Sequence, residues 1–170
     1  MAEVFIGLGS NLGDPAAQLR EAVGRLARRL TVERISSAYR TEPVGLKDQP
    51  HFLNAVLAAR TEMSPREVLS LLVSMEAAMG RRRDVPQGPR TIDLDLLLYD
   101  DRVVDEPDLR LPHPRMSGRR FVLAPLAEIA PRVRPMGVGA TVAELLAALP
   151  AAEFVERVDL PGWPPPAPRG

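Results

Sequence analysis

The chain has 170 residues with 22 basic and 22 acidic side chains, a length that suits one domain with a real core and a balance that draws it neither to nucleic acid nor to an anionic membrane. It has no cysteine and only His51 and His113, which excludes disulfides, thiolate zinc sites, a cysteine nucleophile and any metal centre built from several histidines; oxygen ligands remain, and these favour magnesium. The N-terminus carries no basic leader and no segment approaches the length of a bilayer span, so the expectation is a soluble cytoplasmic protein.

Glu3 to Leu8 reads as a buried strand running into the turn-rich Gly7-Leu8-Gly9-Ser10-Asn11-Leu12-Gly13. Asp14 is placed as an N-cap with Pro15 at the first helical position, and Leu19, Ala22, Val23 and Leu26 recur at helical spacing through about Leu30. Thr31 to Arg40 predicts a second strand and Phe52 to Thr61 a third, separated by a polar connection, Thr41 to Pro50, that is long for a hairpin and suggests function. Ser64-Pro65-Arg66-Glu67 is a capping box opening a helix with Val68, Leu71, Leu72 and Met75 on one stripe and Gly80 at its end. Arg81 to Gly88 has no periodicity and reads as a mobile loop.

Gly88-Pro89-Arg90-Thr91-Ile92-Asp93-Leu94-Asp95-Leu96-Leu97-Leu98-Tyr99 then predicts a strand, expected to be central because Leu97 and Leu98 flank it. A short hairpin arm follows around Asp100-Asp101 and Val103-Val104, then an extended Leu111-Pro112-His113-Pro114, helices over Arg119 to Ile129 and Thr141 to Leu149, and a loosely packed proline-rich tail from Pro161 containing Trp163. The expected organisation is a single domain over 1–160 with a tail at 161–170. The order strand, helix, strand, strand, helix, strand predicts an α+β, ferredoxin-like, antiparallel-rich sheet (βαββαβ) with the helices on one face and a short extra hairpin.

On a strand, Asp93 and Asp95 project from one side and Leu94 and Leu96 from the other. The same alternation suits a solvent-facing edge strand. Three features favour a metal: Asp is a poor strand former, the strand reads as central, and two adjacent carboxylates raise each other's free energy unless a cation relieves them. Arg90, behind a Gly-Pro turn, supplies a planar fork suited to phosphate. Arg81, Arg82, Arg83, Arg119 and Arg120 add positive charge, although Lys47 is the only lysine and arginine is this chain's default cation. For Arg82 and Arg120 a solvated surface is the better reading; arginines on the Arg81 to Arg90 loop could close over a polyphosphate.

The glycine-rich Gly7 to Gly13 stretch matches neither G-x-x-x-x-G-K-[ST] nor the dinucleotide fingerprint, and Ser10 lies in no G-x-S-x-G elbow, so P-loop and serine-hydrolase chemistry are excluded and a tight turn allowing close backbone approach is expected. Phe52 and Asn54 share a strand face; Phe52 and Phe121 could sandwich a flat heterocycle while Asn54 reads its edge, though core packing is the commoner fate of phenylalanine. His113 between two prolines is open between a phosphate contact and a surface position.

Taken together, Gly7-Leu8-Gly9-Ser10-Asn11-Leu12-Gly13, Tyr39-Arg40-Thr41-Glu42-Pro43, Asp48-Gln49-Pro50-His51-Phe52-Leu53-Asn54, Gly88-Pro89-Arg90-Thr91-Ile92-Asp93-Leu94-Asp95 and Leu111-Pro112-His113-Pro114-Arg115-Met116 resemble the hydroxymethyl-dihydropterin pyrophosphokinases of folate biosynthesis, in order from about residue 4 to 131. The resemblance implies magnesium-dependent transfer of the terminal diphosphate of ATP to 6-hydroxymethyl-7,8-dihydropterin, releasing AMP. It implies Asp93 and Asp95 as ligands of two magnesium ions, Arg81 and Arg90 as catalytic loop arginines, Arg83, His113 and Arg119 as ATP contacts, and Thr41, Pro43, Val44, Phe52, Asn54 and Phe121 as the pterin pocket. It further implies a monomer acting on small molecules, with no nucleic-acid or membrane partner. Two rivals stand beside it: a two-metal nucleotidyltransferase on a similar sheet, and a non-catalytic ferredoxin-like RNA-binding module, which sparse aromatics and zero net charge disfavour.

Overall fold

The structure, a computed structural model, describes residues 1–41, 50–80, 92–150 and 155–166. In chain order the elements are β1 (Ala2–Ser10), α1 (Pro15–Ala27), β2 (Thr31–Ile35), β3 (Ala38–Thr41), β4 (Phe52–Thr61), α2 (Pro65–Ala78), β5 (Asp93–Tyr99), β6 (Val104–Glu106), β7 (Leu109–Leu111), α3 (Arg120–Ile129), α4 (Val142–Ala148) and β8 (Val155–Val158), with a 3-10 turn at Met116–Gly118. Among the described residues this is a mixed fold of four α-helices on an antiparallel sheet ordered β5-β1-β4-β3-β8, with β2 also pairing β4 and β6–β7 forming a separate hairpin. No helix among them is long and apolar enough to cross a membrane.

Local chemistry sets the ends of the first two helices. Asp14 accepts from the Ala17 N–H ahead of Pro15, and Ser64 and Glu67 complete a reciprocal capping box ahead of α2. Both helices pack on the face of the sheet carrying Val4, Ile6, Leu8 and Leu57.

The helices are not confined to that face. Phe5, Val56, Ala58 and Leu97 form a second core with Leu123 and Leu126 of α3 and Val142 of α4. Strands β1, β4 and β5 are therefore sandwiched between two helical layers, which is why they carry near-continuous apolar runs where a one-sided sheet would alternate.

Two further expectations change. The predicted Thr31 to Arg40 strand divides into β2 and β3 at Ser36, which is fully buried; its hydroxyl accepts the Val56 N–H and donates to the Ser37 carbonyl, drawing the chain out of a continuous ladder. The strand bearing the two aspartates is an edge strand, not a central one. It is buried all the same, because α2 and β7 cover its outer side and its edge groups find partners: the Leu94 N–H donates to Glu76 of α2, and the Leu97 carbonyl accepts the His113 N–H at 2.9 Å.

Beyond α4, β8 adds an outer strand beside β3, an element the sequence reading lacks. The following segment is laid onto the domain instead of hanging loose: the indole N–H of Trp163 donates to the Ser36 carbonyl at 3.0 Å, and Arg20 donates to the Pro161 carbonyl at 2.8 Å. Without periodicity to reveal it, one amphipathic indole ring anchors the segment.

Candidate active site

Register places the site residues in rows across the sheet. Gly9 stands opposite Asp93 on one side and Asn54 on the other, and Asn54 opposite Tyr39. One step along, Gly7 stands between Asp95 and Val56. Directly opposed residues share a face, so the two carboxylates and Asn54 flank a floor of bare backbone, about 10 Å apart across two strand spacings. Phe121 at the start of α3 overhangs this floor, closing a slot of only 20 Å³ that also touches Asp93, Asp95 and Asn54.

The far wall is held from below. The Asn54 amide nitrogen donates to the Thr41 hydroxyl at 2.6 Å, and both side chains are buried. This fixes which end of the amide faces Gly9. A Cβ added to Gly9 would lie 2.7 Å from Asn54 Oδ1 and 3.8 Å from the Phe52 ring, so the glycine is required by close approach, not by backbone twist. Asn11, also buried, donates to the Pro50 carbonyl at 2.9 Å and ties the end of β1 to the start of β4.

On the outer side of Asp95 lies a second, larger groove of 340 Å³, walled by Leu69, Leu96, Leu109, Arg110 and His113. Asp95 borders both cavities. His113 Nε2 is 4.0 Å from Asp95 Oδ1. Burial lowers the His113 imidazole below its ordinary value, the Arg119 and Arg115 charges lower it further, and Asp93 opposes them. The ring is therefore neutral near pH 7, and since the Arg115 N–H donates to Nδ1 at 3.2 Å, its one proton sits on Nε2, facing the carboxylate. The Arg119 guanidinium lies 5.4 Å from the centre of the Phe121 ring, within cation–π range, so one contact orients both residues.

A clamp sets where α3 lies. Glu128, two turns beyond Phe121, accepts from the Tyr39 hydroxyl at 2.6 Å and from the Ser37 N–H and hydroxyl, and pairs with Arg157 of β8 at 3.3 Å. Burial works to raise the Glu128 carboxyl, but the hydrogen bonds from Tyr39 and Ser37 and the Arg157 charge outweigh it and leave it below the ordinary value of 4.5. A carboxyl lowered on folding contributes stability above its unfolded value, and that contribution is lost as pH falls through the folded value. Glu128→Gln should therefore flatten the acid limb of the unfolding midpoint below about pH 4.5 while lowering the midpoint at pH 7; an acid limb identical to wild type would remove Glu128 from the account.

Of the residues singled out in the sequence, Asp93, Asp95, Asn54 and Phe121 line the slot, Thr41 and Phe52 support its Asn54 wall, and His113 and Arg119 gather at its rim. Arg81, Arg83, Arg90, Pro43 and Val44, with the loop expected to move, lie outside the described residues. Arg110, which walls the larger groove, went unnoticed in the sequence, although the Leu109-Arg110-Leu111 alternation places it opposite the buried leucines. Glu128 carried no sequence signal, and Tyr39 stood only within the Tyr39-Arg40-Thr41-Glu42-Pro43 stretch of the family resemblance, without a role of its own.

A metal can be tested on the donor set. Among the described residues no group of three or more His, Asp or Glu side chains could cage an ion. Two carboxylates on one strand face, with Asp95 37% exposed, match the requirement of magnesium, which keeps most of its shell for water and phosphate oxygens.

The family model described as 7,8-dihydro-6-hydroxymethylpterin-pyrophosphokinase (HPPK) matches residues 5–131. A Methylorubrum extorquens 2-amino-4-hydroxy-6-hydroxymethyldihydropteridine pyrophosphokinase is 47% identical over 94% of this chain and 100% of its own length, and the Pseudomonas aeruginosa enzyme of the same name is 42% identical over 94% and 97%. Among solved structures, wild-type Plasmodium falciparum HPPK-DHPS with pterin and p-hydroxybenzoate superposes with a TM-score of 0.71 at 15% identity, over 86% of this chain and 41% of that one, a likeness of fold. The match over three quarters of the chain and the near full-length relatives place it: this chain belongs to the HPPK family of folate-biosynthesis pyrophosphokinases.

Proposed function

We propose that this enzyme transfers the terminal diphosphate of ATP to the hydroxymethyl oxygen of 6-hydroxymethyl-7,8-dihydropterin. The bond from the hydroxymethyl oxygen to Pβ forms, the bond from Pβ to the oxygen bridging Pα breaks, the hydroxyl proton is lost, and AMP and the pterin diphosphate leave. The observation that carries the reading is the position of Asp95 on the shared border of a narrow slot and a larger groove, where one substrate can meet the other.

The slot is the pterin side, and since 20 Å³ holds about one water, it must widen between Phe121 and the strand floor to admit a flat heterocycle. Asn54, oriented by Thr41, offers its amide oxygen to the edge of a flat heterocycle, and Phe52 and Phe121 supply aromatic faces, with Pro43 and Val44 completing the pocket. The larger groove is the nucleotide side, with Arg110 and His113 in its wall and Arg119 close enough to His113 to act on its charge, a set of groups that would meet phosphate. Asp93 and Asp95 would hold two magnesium ions, which when bound supply phosphate charge neutralisation and a lowered hydroxyl pKa. Arg81, Arg83 and Arg90 would cover the polyphosphate and meet charge as it develops on the transferring group. The chain works as a cytoplasmic monomer on small molecules, its catalytic domain spanning 1–160 on a ferredoxin-like βαββαβ core, with 161–170 as a tail.

The direct test is co-dependence: ATP consumption should require both the pterin and magnesium, stop on chelation and resume when magnesium is restored, whereas ATP consumption without the pterin would overturn the assignment. Arg90→Lys should cut kcat by about tenfold or more, because an ammonium keeps the charge but not the bidentate fork; an unchanged rate in steady-state assays would make Arg90 structural.

A further inference from the structure

Between Asp93 and Asp95, Leu94 turns its side chain into the core on the opposite face. Its backbone N–H belongs to the peptide that follows Asp93, and on an edge strand that amide faces away from β1. It is taken by Glu76 of α2, whose Oε2 lies 3.0 Å away. Glu76 is 3% exposed on α2. A buried carboxylate is costly unless it is hydrogen-bonded, and one of the groups this one serves is an amide of the sheet edge that has no neighbouring strand to pair with.

What that hydrogen bond gains is legible in the strand's geometry. An edge strand lacks a second ladder to hold its register, and a slip of one residue would exchange the Asp93 and Asp95 face for the Leu94 and Leu96 face. The His113 N–H on the Leu97 carbonyl pins the same edge three residues on. We propose that Glu76 is a positioning residue: from the opposite side of the sheet it fixes the peptide between the two aspartates and so sets the separation and direction of their carboxylates toward a divalent cation carrying phosphate. This rests on the reading of Asp93 and Asp95 as the cation ligands.

The test uses the full chain, with Mn2+ titrated calorimetrically in the presence of a non-hydrolysable ATP analogue and amide exchange followed at Leu94. In Glu76→Leu, which fills the volume without an acceptor, Leu94 should lose protection and the Mn2+ dissociation constant should rise roughly 10–100-fold, the usual effect of removing a partner that orients a ligand. Glu76→Gln, whose amide oxygen accepts the same N–H, should stay close to wild type. Mn2+ binding by Glu76→Leu equal to wild type, while Asp95→Asn loses it, would overturn the proposal and leave the cation site standing; wild-type binding by Asp95→Asn as well would overturn both. Should Glu76→Leu not fold, Glu76→Asp decides: it keeps the charge but withdraws the oxygen from the amide, so weakened Mn2+ binding supports the proposal and unchanged affinity ends it.

Discussion

Asp95→Asn should lower kcat by about a thousandfold or more while leaving the fold intact, since several kcal/mol of charge stabilisation depends on an anionic ligand that a neutral amide cannot replace. The substitution is close to isosteric, and the space it must fit is generous, because the residue opposite on β1 is Gly7. Stability should not follow. Asn keeps the shape of Asp and one of its accepting oxygens, so the unfolding midpoint should be little changed. A large loss of turnover together with an undiminished midpoint is the signature of a group kept for function and not for the fold. Near-normal turnover in the variant would remove Asp95 from the chemistry; a collapsed midpoint would make its role structural.

Gly9→Ala is expected to strike the other substrate. Its new methyl would sit 2.7 Å from Asn54 Oδ1, closer than side-chain atoms tolerate. Asn54 cannot simply withdraw, because its amide nitrogen is held by Thr41 at 2.6 Å in a buried setting. Either that bond breaks or β1 and β4 separate, and each route costs about 1–3 kcal/mol. If the amide is what reads the pterin edge, KM for the pterin should rise about tenfold to a hundredfold, with KM for ATP little changed because the larger groove lies on the outer side of Asp95. Equal effects on the two substrates would point to a general loosening of the sheet. At Gly7 the atoms nearest a new methyl belong to the Leu97 side chain at 3.6 Å, an ordinary contact, so Gly7→Ala should leave the fold undisturbed.

The contrast between these two glycines shows where the sequence stops being informative. Strand alternation was enough to put Asp93 and Asp95 on one face, and cap chemistry at Asp14 and at Ser64-Pro65-Arg66-Glu67 was enough to start α1 and α2 correctly. Those signals are local: a period, or a side chain reaching its own backbone. What was misread depends on partners far away in the chain. Leu97 and Leu98 look the same in a central strand as in an edge strand covered by α2 and β7, so the sequence pattern alone reads β5 as central. The second helical layer was invisible because apolar runs in β1 and β4 do not say which elements cover them. Ser36 breaks a promising strand through bonds to Val56 and Trp163, and Glu76 meets Leu94 only because the sheet edge and α2 come together. The resemblance to a family supplied roles for these residues; it did not supply the reasons for their placement.

The most direct test of the central claim is the identity of the nucleotide released when the protein is incubated with ATP, magnesium and 6-hydroxymethyl-7,8-dihydropterin and the products are separated by ion-exchange chromatography. Attack at Pβ predicts AMP in one-to-one yield with the pterin diphosphate. ADP would mean ordinary phosphoryl transfer, and pyrophosphate would mean attack at Pα by a nucleotidyltransferase; either product would contradict the reading of this site.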